Sequence, residues 1–378
     1  MPRYQQLDWL RGLAVFGIIL LNINSFALPT AAYLNPAWQG LPSLSDRVTW
    51  SVIELVARLK FVNIFALLFG AGLSLQQPKG SRWLNARLGW LVVAGLLHYL
   101  LLWPGDILLD YGLCGLVVWR IIDAKPDPRQ RLKLGILCYL TGEGVLFLYS
   151  LLLTGRATQA WLPDLATVQS QIQSHRHFSL NNLIYRLSDL ENNLLGLVTQ
   201  SGFQLSGLML IGAALMRNGW LSGQYSINHY KNCAVLLLVS GLLPELLVIV
   251  LQWRLHWQAE WCQFYLQLPA ELCSPLVSLG YIALLQAYWR SVIRHPMSAW
   301  IMQVGKMAFS NYIMDTLLGL IIFDLFDGFG YFSRWQLLLW VPLFWGMNLG
   351  FSRLWLKYFC QGPLERLWRI LTRWVQVR

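Results

Sequence analysis

Apolar runs of about the length needed to cross a membrane recur along the whole sequence. The hydrocarbon core of a bilayer is about 30 Å thick, so a spanning helix needs roughly 20 mainly apolar residues. Runs that reach or approach this length centre on residues 8–28, 50–76, 84–103, 106–122, 132–154, 196–216, 232–252, 266–289, 301–323 and 335–356. The sequence therefore predicts an all-α polytopic membrane protein with about ten transmembrane helices.

Composition and charge also favour a chain that lies in a bilayer. Hydrophobic residues make up 56% of the chain and charged residues only 12%, which is too little polar surface to cover a soluble globule. Lysine and arginine concentrate in every second connection and in the tail, and cytoplasmic loops retain such excess positive charge. We therefore expect both termini in the cytoplasm. Topology accounts for the net charge of +11, so no nucleic-acid partner is expected.

The chain is organised as one membrane domain, residues 1–361, followed by a short amphipathic tail, residues 362–378. The long polar connection near residues 155–195 carries apolar residues at helical spacing, which predicts amphipathic helices on the outer face. The tail places tryptophans such as Trp368 and Trp374 opposite a row of arginines. This pattern is typical of a helix at the interface with anionic lipids, so membrane lipids are expected partners. The oligomeric state stays open, a homodimer included.

The residue types that bind metals give little reason to expect a metal site. The 6 cysteines have no paired spacing, which favours a role as small buried apolar residues. His175 and His177 stand at a spacing that metal ligands use, but no third ligand accompanies them. A solvated, structural role is favoured for both histidines.

Ionisable and amide side chains inside the apolar runs are the strongest functional signal. Such a charge near the bilayer centre costs roughly 2.5–3.5 kcal/mol on insertion scales, so these residues usually face a protein interior and pair or act there. The spans contain Asp8, Arg11, Asn22, Asn24, Glu54, Arg58, Lys60, His98, Asp106, Asp110, Glu143, Glu245, Glu271, Lys306, Asn311 and Asp315. Asp8 and Arg11 are three residues apart on one helix face, and an ion pair that fixes this helix is the favoured interpretation.

The first four spans bring many of these groups to the same depth. With alternating span directions, one set falls in the outer halves of the helices: Asn22, Glu54, Lys60, His98, Asp106 and Asp110. We predict that this set shares one outward-opening cavity. On span nine, Lys306, Asn311 and Asp315 either extend that site or pair with one another.

His98 has two interpretations. It is either a buried histidine hydrogen-bonded to a neighbouring aspartate, or a general base that Asp106 or Asp110 orients. Several catalytic motifs are absent from the sequence: GxxxxGK[ST], GxSxG, HExxH and a strand-linked GxGxxG. The residues therefore give no support for a P-loop that binds phosphates, a serine hydrolase, a zinc protease or a Rossmann dinucleotide site.

Long blocks of the sequence resemble a known family. The blocks include "LDWLRGLAVFGIILLNINSFALPTAAYLNPAWQG", "LLHYLLLWPGDILLDYGLCGL" and "GKMAFSNYIMDTLLG". They resemble the YeiB-like family of bacterial inner-membrane proteins, which is grouped with transmembrane acyltransferases such as heparan-α-glucosaminide N-acetyltransferase. The resemblance implies a multi-pass protein of the bacterial inner (cytoplasmic) membrane.

The first span carries the part of this resemblance that concerns chemistry. Its LDxxRG pattern is followed by Asn22, which the resemblance implies is an active-site asparagine. The related acetyltransferase has a catalytic histidine in a HASWNG-like segment, whereas the matching "NPAWQG" here begins with Asn35. A histidine from another helix, His98, would then have to supply the base.

We predict an acyltransferase-like enzyme that moves an acyl group from a cytoplasmic thioester donor to a small-molecule or glycan acceptor on the periplasmic side. Acyl-coenzyme A is the expected co-substrate, and no permanently bound cofactor is expected. The expected catalytic residues are His98, Asn22, Asp106, Asp110 and Lys60. The donor's nucleotide is assigned to Arg11, Arg82 and Arg87, and further substrate contacts to Asn24, Glu54, Lys306, Asn311 and Asp315.

The alternative function is a proton-coupled transporter or exporter of a small polar or lipid-linked molecule. In that case Glu143, Glu245 and Glu271 relay protons within the membrane. Pro244 and Pro275 beside these carboxylates would mark the broken helices that transporters use. A structural or accessory membrane protein is the third hypothesis.

Overall fold

The computed structural model describes residues 4–153, 157–176 and 180–377, and every regular element in these ranges is helical. In chain order the helices are α1 (Gln5–Ala27), α2 (Ala31–Leu34), α3 (Leu44–Val56), α4 (Lys60–Gln76), α5 (Ser81–Leu101), α6 (Leu108–Ala124), α7 (Pro128–Leu152), α8 (Leu165–Arg176), α9 (Leu180–Gly196), α10 (Gly202–Arg217), α11 (Ile227–Arg254), α12 (Ala259–Cys262), α13 (Gln267–Val292), α14 (Pro296–Lys306), α15 (Ala308–Gly319), α16 (Arg334–Leu338), α17 (Val341–Tyr358) and α18 (Pro363–Val377). Short π-helical turns, Leu197–Ser201 and Leu320–Leu325, join α9 to α10 and extend α15.

The helical lengths and their hydropathy confirm a multi-pass membrane protein. Among the described residues, 7 helical stretches are long and apolar enough to cross a membrane. They are Gln5–Ala27, Ser81–Leu101, Pro128–Leu152, Arg186–Arg217, Ile227–Arg254, Ala259–Val292 and Ala308–Leu325. Two shorter apolar helices of 17 residues, α4 and α6, pack among them.

Two of the predicted spans are interrupted at positions that hydropathy does not mark. α3 ends at Val56, and Leu59, which has a left-handed φ of 62°, redirects the chain into α4. A second break at Met307 separates α14 from α15, so the ninth apolar run is not one helix. By contrast, α11 and α13 continue through Pro244 and Pro275, and the expectation of broken helices at these prolines is wrong.

Glycines set the closest helix contacts. At the crossing of α4 and α10, a Cβ on Gly70 would overlap the carbonyl oxygen of Met209, and one on Gly212 would overlap that of Leu67. At the crossing of α1 and α14, a Cβ on Gly305 would overlap the carbonyl oxygen of Asp8. Small residues therefore let these backbones meet, as is common between membrane helices.

The packing of α1 against α15 fixes the depth of the polar groups on both helices. Val15 packs with Ala308 near one end, and Phe26 lies against Gly319 near the other. The two helices therefore run in the same direction with matched depth. This pairing places Asn22 on α1 level with Asp315 on α15.

The tail forms the amphipathic helix α18, which lies against α5 and α15. Leu367, Ile370 and Trp374 are exposed on its outer face. Trp368, which the sequence pattern groups with that face, instead turns towards α5, where its Nε1 donates to the carbonyl oxygen of Arg87 at 2.7 Å. The helix therefore has one face on the protein and one apolar face left uncovered.

Candidate functional site

A cavity of about 560 Å³ lies between α1, α4, α5, α6 and α15, with α18 across one end. This volume is within the usual range for ligand pockets. Charged side chains line one end, which we call the mouth: Asp8, Arg11, Arg87, Lys306, Glu365 and Arg369. Polar side chains also line the other end, which we call the deep end: Asn22, Tyr111, Tyr312 and Asp315.

The mouth is strongly cationic and reaches the surface. Arg369 is exposed, and the Arg11 side chain is 30% exposed although it pairs with Asp8 at 3.1 Å. Arg11 and Arg369 both lie close enough to Arg87 to repel it electrostatically. Positive charges held this close favour an anionic ligand between them.

Aromatic rings hold Arg87 in this arrangement. Its guanidinium lies over the ring of Trp368 at 3.4 Å and within 5.2 Å of the Trp83 ring. Such cation–π contacts orient a guanidinium while leaving its N–H groups available. Lys79 stands nearby over Trp83, and burial together with the charges of Arg87, Arg369 and Arg373 lowers the pKa of Lys79.

Glu365 attaches α18 to the start of α15. Its Oε1 accepts hydrogen bonds from the backbone N–H groups of Phe309 at 2.9 Å and Ser310 at 3.2 Å. The Ser310 hydroxyl donates to its Oε2 at 2.5 Å. A carboxylate at this position satisfies free N–H groups in the first turn of α15. Burial nevertheless raises the pKa of Glu365.

Between the mouth and the deep end the cavity is walled by aliphatic and aromatic side chains. They include Val15, Ile18, Ile19, Phe65, Leu68, Phe69, Leu88 and Leu91. Arg11 and Asn22 are 11 residues apart on α1, which corresponds to about 16 Å along the helix axis. The cavity therefore extends through a substantial part of the bilayer thickness.

The deep end combines an amide, a carboxylate and a phenol. Asn22 is half-buried, and Asp315 accepts a hydrogen bond from Asn348 Nδ2 at 2.9 Å. The Tyr111 hydroxyl donates to the carbonyl oxygen of Val62 at 3.0 Å. Asn22 and Asp315 thus face the same space from α1 and α15, and both belong to the predicted site.

His98 lies one layer behind this wall. Its Nδ1 is 2.7 Å from Asp106 Oδ1 and its Nε2 is 3.1 Å from the Thr316 hydroxyl. The Tyr312 ring, 5.3 Å from the His98 ring, stands on the side of the cavity. The predicted pairing of His98 with an aspartate is present, but His98 does not line the cavity as it stands.

Lys60 and Glu54 form a second polar cluster, so the prediction that they share a cavity with Asn22 is wrong. The Lys60 ammonium is 2.6 Å from Glu245 Oε2 and donates to the carbonyl oxygen of Glu54 at 2.7 Å. Glu54 pairs with Arg58. The physical reason is the break at Leu59, which turns the start of α4 towards α11.

Three further predicted site residues make their hydrogen bonds away from the cavity. Asp110 accepts from Asn193 Nδ2 at 3.1 Å, and Asn24 bonds weakly to carbonyl groups of its own helix. Asn311 is fully buried and donates to the carbonyl oxygen of Val304 at 3.1 Å and to Ser352 at 2.8 Å. The structure therefore gives these groups a packing role.

Arg82 is exposed on α5 outside the cavity, so the structure does not group it with Arg11 and Arg87. Sequence reasoning missed Glu365 and Arg369, which reach the mouth from the tail. Only the docking of α18 brings them there, and no local pattern in the tail indicates it.

Asn35 and His175 lie outside the cavity as well. Asn35 is fully buried, donates to the carbonyl oxygen of Trp161 at 2.9 Å and accepts from the backbone N–H of Ala37. His175 Nδ1 is 2.9 Å from Asp324 Oδ1 and its ring stacks on Phe329. His177 lies outside the described residues.

The fold and the cavity define a class: a polytopic helical membrane protein with a long cavity that leads from a cationic mouth to a polar deep end. The chain is 44% identical over 372 residues to the uncharacterized protein YeiB of Escherichia coli (strain K12), covering 98% of this chain and 97% of the relative. The protein belongs to the YeiB family.

Two more distant relatives align with nearly the full length of this chain. The uncharacterized protein YxaH of Bacillus subtilis (strain 168) is 26% identical and covers 97% of this chain and 93% of its own length. An uncharacterized 39.9 kDa protein of Bacillus acidopullulyticus is 25% identical over 98% of this chain and 94% of its own. Residues 215–375 match the model of a protein of unknown function (DUF418). No solved structure matches the chain significantly.

Proposed function

We propose that this protein is an inner-membrane acyltransferase that moves an acyl group from a cytoplasmic thioester donor to an acceptor on the periplasmic side. The observation that carries the proposal is the single cavity that joins the cationic mouth to Asn22 and Asp315. A thioester of coenzyme A has a polyanionic nucleotide at one end and its reactive carbonyl at the other. The cavity offers complementary surfaces in the same order.

The proposed topology has ten crossings with both termini in the cytoplasm. In addition to the 7 long apolar stretches, α4, α6 and α17 would cross, since 17 or 18 residues extend about 26 Å. Asp8 at the start of α1 and Arg369 on α18 line the same end of the cavity, which supports an even number of crossings. In this proposal residues 1–361 form one membrane domain and the cationic mouth faces the cytoplasm.

Donor binding would use charge at the mouth and apolar contact beyond it. Arg11, Arg87, Lys306 and Arg369 would contact the phosphates of the nucleotide, since guanidinium groups match phosphate oxygens in geometry and charge. The pantetheine arm would follow the apolar wall. The thioester carbonyl would then stand near Asn22, about 16 Å from Arg11 along α1.

Acyl transfer at the deep end would need one base and one hydrogen-bond donor. An acceptor hydroxyl or amine attacks the thioester carbonyl carbon, and Asn22 donates a hydrogen bond to the oxygen that becomes negative. Asp315 takes the proton of the acceptor. The C–S bond then breaks, and the proton passes to the departing thiolate, so that free coenzyme A and the acylated acceptor result.

His98 receives a different role in this proposal from the one expected from the sequence. Because Tyr312 separates it from the cavity, His98 is assigned as a positioning residue rather than the base. Together with Asp106 and Thr316 it ties α5 to α15 and so holds Asp315 towards Asn22.

The test uses the full chain in lipid nanodiscs with coenzyme A and acetyl-coenzyme A as probes. We expect both probes to raise the melting temperature, and acetyl-coenzyme A to release free thiol slowly. Asn22→Ala should keep the thermal shift and lose thiol release, whereas Asn24→Ala, two residues along the same helix, should retain both. The absence of a thermal shift with either probe would count against the proposal.

The transport hypothesis receives less support from the structure. It predicted broken helices at Pro244 and Pro275, and both helices are continuous there. Of its three carboxylates, Glu245 is neutralised in an ion pair with Lys60. The other two, Glu143 and Glu271, stand apart from the cavity.

A further inference from the structure

Two buried carboxyl groups on different helices share a single amide. Gln204 Nε2 on α10 donates to Glu143 Oε1 on α7 at 2.7 Å and to Glu271 Oε2 on α13 at 2.8 Å. All three helices belong to stretches apolar enough to cross a membrane. The cluster of Glu143, Gln204 and Glu271, which we call the Gln204 cluster, plays no part in the proposed acyl transfer.

The orientation of the amide follows from its other hydrogen bond. Gln204 Oε1 accepts from Gln200 Nε2 at 3.1 Å, so the NH2 group must face the two carboxyl groups. Gln200 lies in the π-helical turn Leu197–Ser201, an irregularity that occurs frequently at functional sites. The turn also brings the Gln200 backbone oxygen against α7, where Gly142 leaves room for it.

The charges around the Gln204 cluster do not balance if both carboxyl groups are ionised. Lys60 pairs with Glu245, and Arg58 pairs with Glu54. Arg58 also attracts Glu271 electrostatically, but nothing comparable reaches Glu143 among the described residues. The remaining neighbour on α7, Tyr139, donates its hydroxyl to the backbone oxygen of Glu271 at 2.7 Å and lies beside the Glu143 carboxyl group, but it carries no positive charge. One carboxylate is therefore left without a cation.

Glu143 is the carboxyl group that has no neighbouring cation in the described part of the chain. It is 3% exposed, and its Oε2 has no hydrogen-bond partner. A bare anionic oxygen in the membrane interior is strongly unfavourable, and a second negative charge on Glu271 makes it more so. A neutral carboxyl group removes both costs: its carbonyl oxygen still accepts from Gln204, and Oε2 carries the hydrogen.

We propose that the Gln204 cluster is a proton-binding site and that the proton resides on Glu143 Oε2. Glu271 keeps the Gln204 amide as its hydrogen-bond donor and the electrostatic attraction of Arg58. The π-helical turn beside Gln200 marks the point where the cluster can open and the proton can exchange. This site is separate from the acyl-donor cavity and stands whether or not the acyl-transfer proposal holds.

Infrared spectroscopy distinguishes a protonated carboxyl group from a carboxylate. The experiment compares wild type, Glu143→Gln and Glu271→Gln in nanodiscs at neutral pH, with Glu260→Gln as the control at an exposed carboxylate. We expect a carboxylic-acid C=O band that shifts in D2O. The band should be lost in Glu143→Gln and kept in Glu271→Gln and in the control.

Two results would overturn the proposal. One is a band that survives in Glu143→Gln, which places the proton elsewhere. The other is stabilisation of wild type by Na+ over K+ with no D2O-sensitive band, which makes the cluster a metal-cation site. If Glu143→Gln fails to fold, the wild-type spectrum decides the question. A D2O-sensitive band that is present at neutral pH and disappears towards alkaline pH supports the proposal. The absence of any D2O-sensitive band at neutral pH refutes it.

Discussion

At the scale of single residues, Arg87 shows how aromatic rings can position a positive charge at the mouth of the cavity. Its guanidinium lies over Trp368 and near Trp83. Arg82, one and a half helical turns earlier on α5, is exposed and lies outside the cavity. Two arginines of one helix therefore differ in environment, which gives a matched pair for experiment.

We predict that Arg87→Gln weakens coenzyme A binding roughly ten- to hundredfold, because a charge-assisted hydrogen bond contributes about 1.5–3 kcal/mol. Arg82→Gln should leave the dissociation constant within about twofold of wild type. Isothermal titration calorimetry in nanodiscs measures both. Equal losses in the two variants would indicate a nonspecific effect of surface charge rather than a site at the mouth.

Pairs of residues that are close in sequence were predictable, and pairs that depend on the packed bundle were not. The Asp8–Arg11 ion pair follows from helical spacing. The assignment of Asn22 to the site followed from its position after the LDxxRG pattern in the first span. The partner of Lys60 was not predictable, because it depends on the left-handed residue Leu59, where nothing in the local pattern calls for a break.

Asn35 carries a further lesson at this scale. Its segment resembles the one that carries a catalytic histidine in the acetyltransferase, yet the Asn35 side chain joins two loop segments on the far side of the bundle from the mouth. The match of the NPAWQG segment thus located a loop but did not indicate a catalytic role for Asn35. In the proposed mechanism the base comes from the helices, and Asp315 is the carboxylate at the deep end of the cavity.

At the scale of elements, the crossing of α4 and α10 depends on a residue without a side chain. Gly70→Ala should destabilise the protein by about 1–3 kcal/mol, since its Cβ would overlap the Met209 carbonyl oxygen. Gly72→Ala is the control, because the nearest atom to its Cβ is 3.7 Å away. Thermal unfolding in detergent should show a lower melting temperature for Gly70→Ala alone. A similar melting temperature in both variants would show that the helices can separate at little cost.

The docking of α18 should depend on pH through Glu365. Burial raises the pKa of Glu365 above its ordinary value of 4.5, so the folded state holds the proton more tightly than the undocked helix does. The contribution to docking is therefore complete below pH 4.5 and is lost as the pH rises through the higher folded-state pKa.

Hydrogen exchange of the α18 amides measures this effect. Protection of α18 in wild type should decrease as the pH is raised from 5 towards 8, after correction for intrinsic exchange. Glu365→Gln keeps an oxygen acceptor for the N–H groups of Phe309 and Ser310, so it should show protection with little pH dependence. A wild-type profile that is flat after correction would contradict the assignment.

Helix existence was easier to predict than helix continuity. Apolar length located the crossing helices because the bilayer sets a minimum length for each one. The break at Met307 did not follow from hydropathy, and it leaves Lys306 outside the apolar stretch Ala308–Leu325 and at the mouth. The amphipathic tail was predicted as an interfacial helix, but its contact with Arg87 through Trp368 required the folded bundle.

At the scale of the whole molecule, the direction of the cavity decides which compartment supplies the donor. The first and the last described helices, α1 and α18, both line the mouth of the cavity. Excess lysine and arginine lie on that side, and positive loops stay in the cytoplasm. The mouth is therefore predicted to open to the cytoplasm.

Reporter fusions test this orientation without any knowledge of the substrate. Alkaline phosphatase is active only where its disulfides form, outside the cytoplasm, whereas a fluorescent protein exported in unfolded form is dark there. Phosphatase fused after Ala160, between α7 and α8, should be active, and phosphatase at Lys125 or after Arg378 should be inactive. The fluorescent reporter should give the opposite pattern at all three sites. Active phosphatase after Arg378 would place the cationic mouth outside, where coenzyme A thioesters are absent, and the acyl-transfer proposal would fail together with the topology.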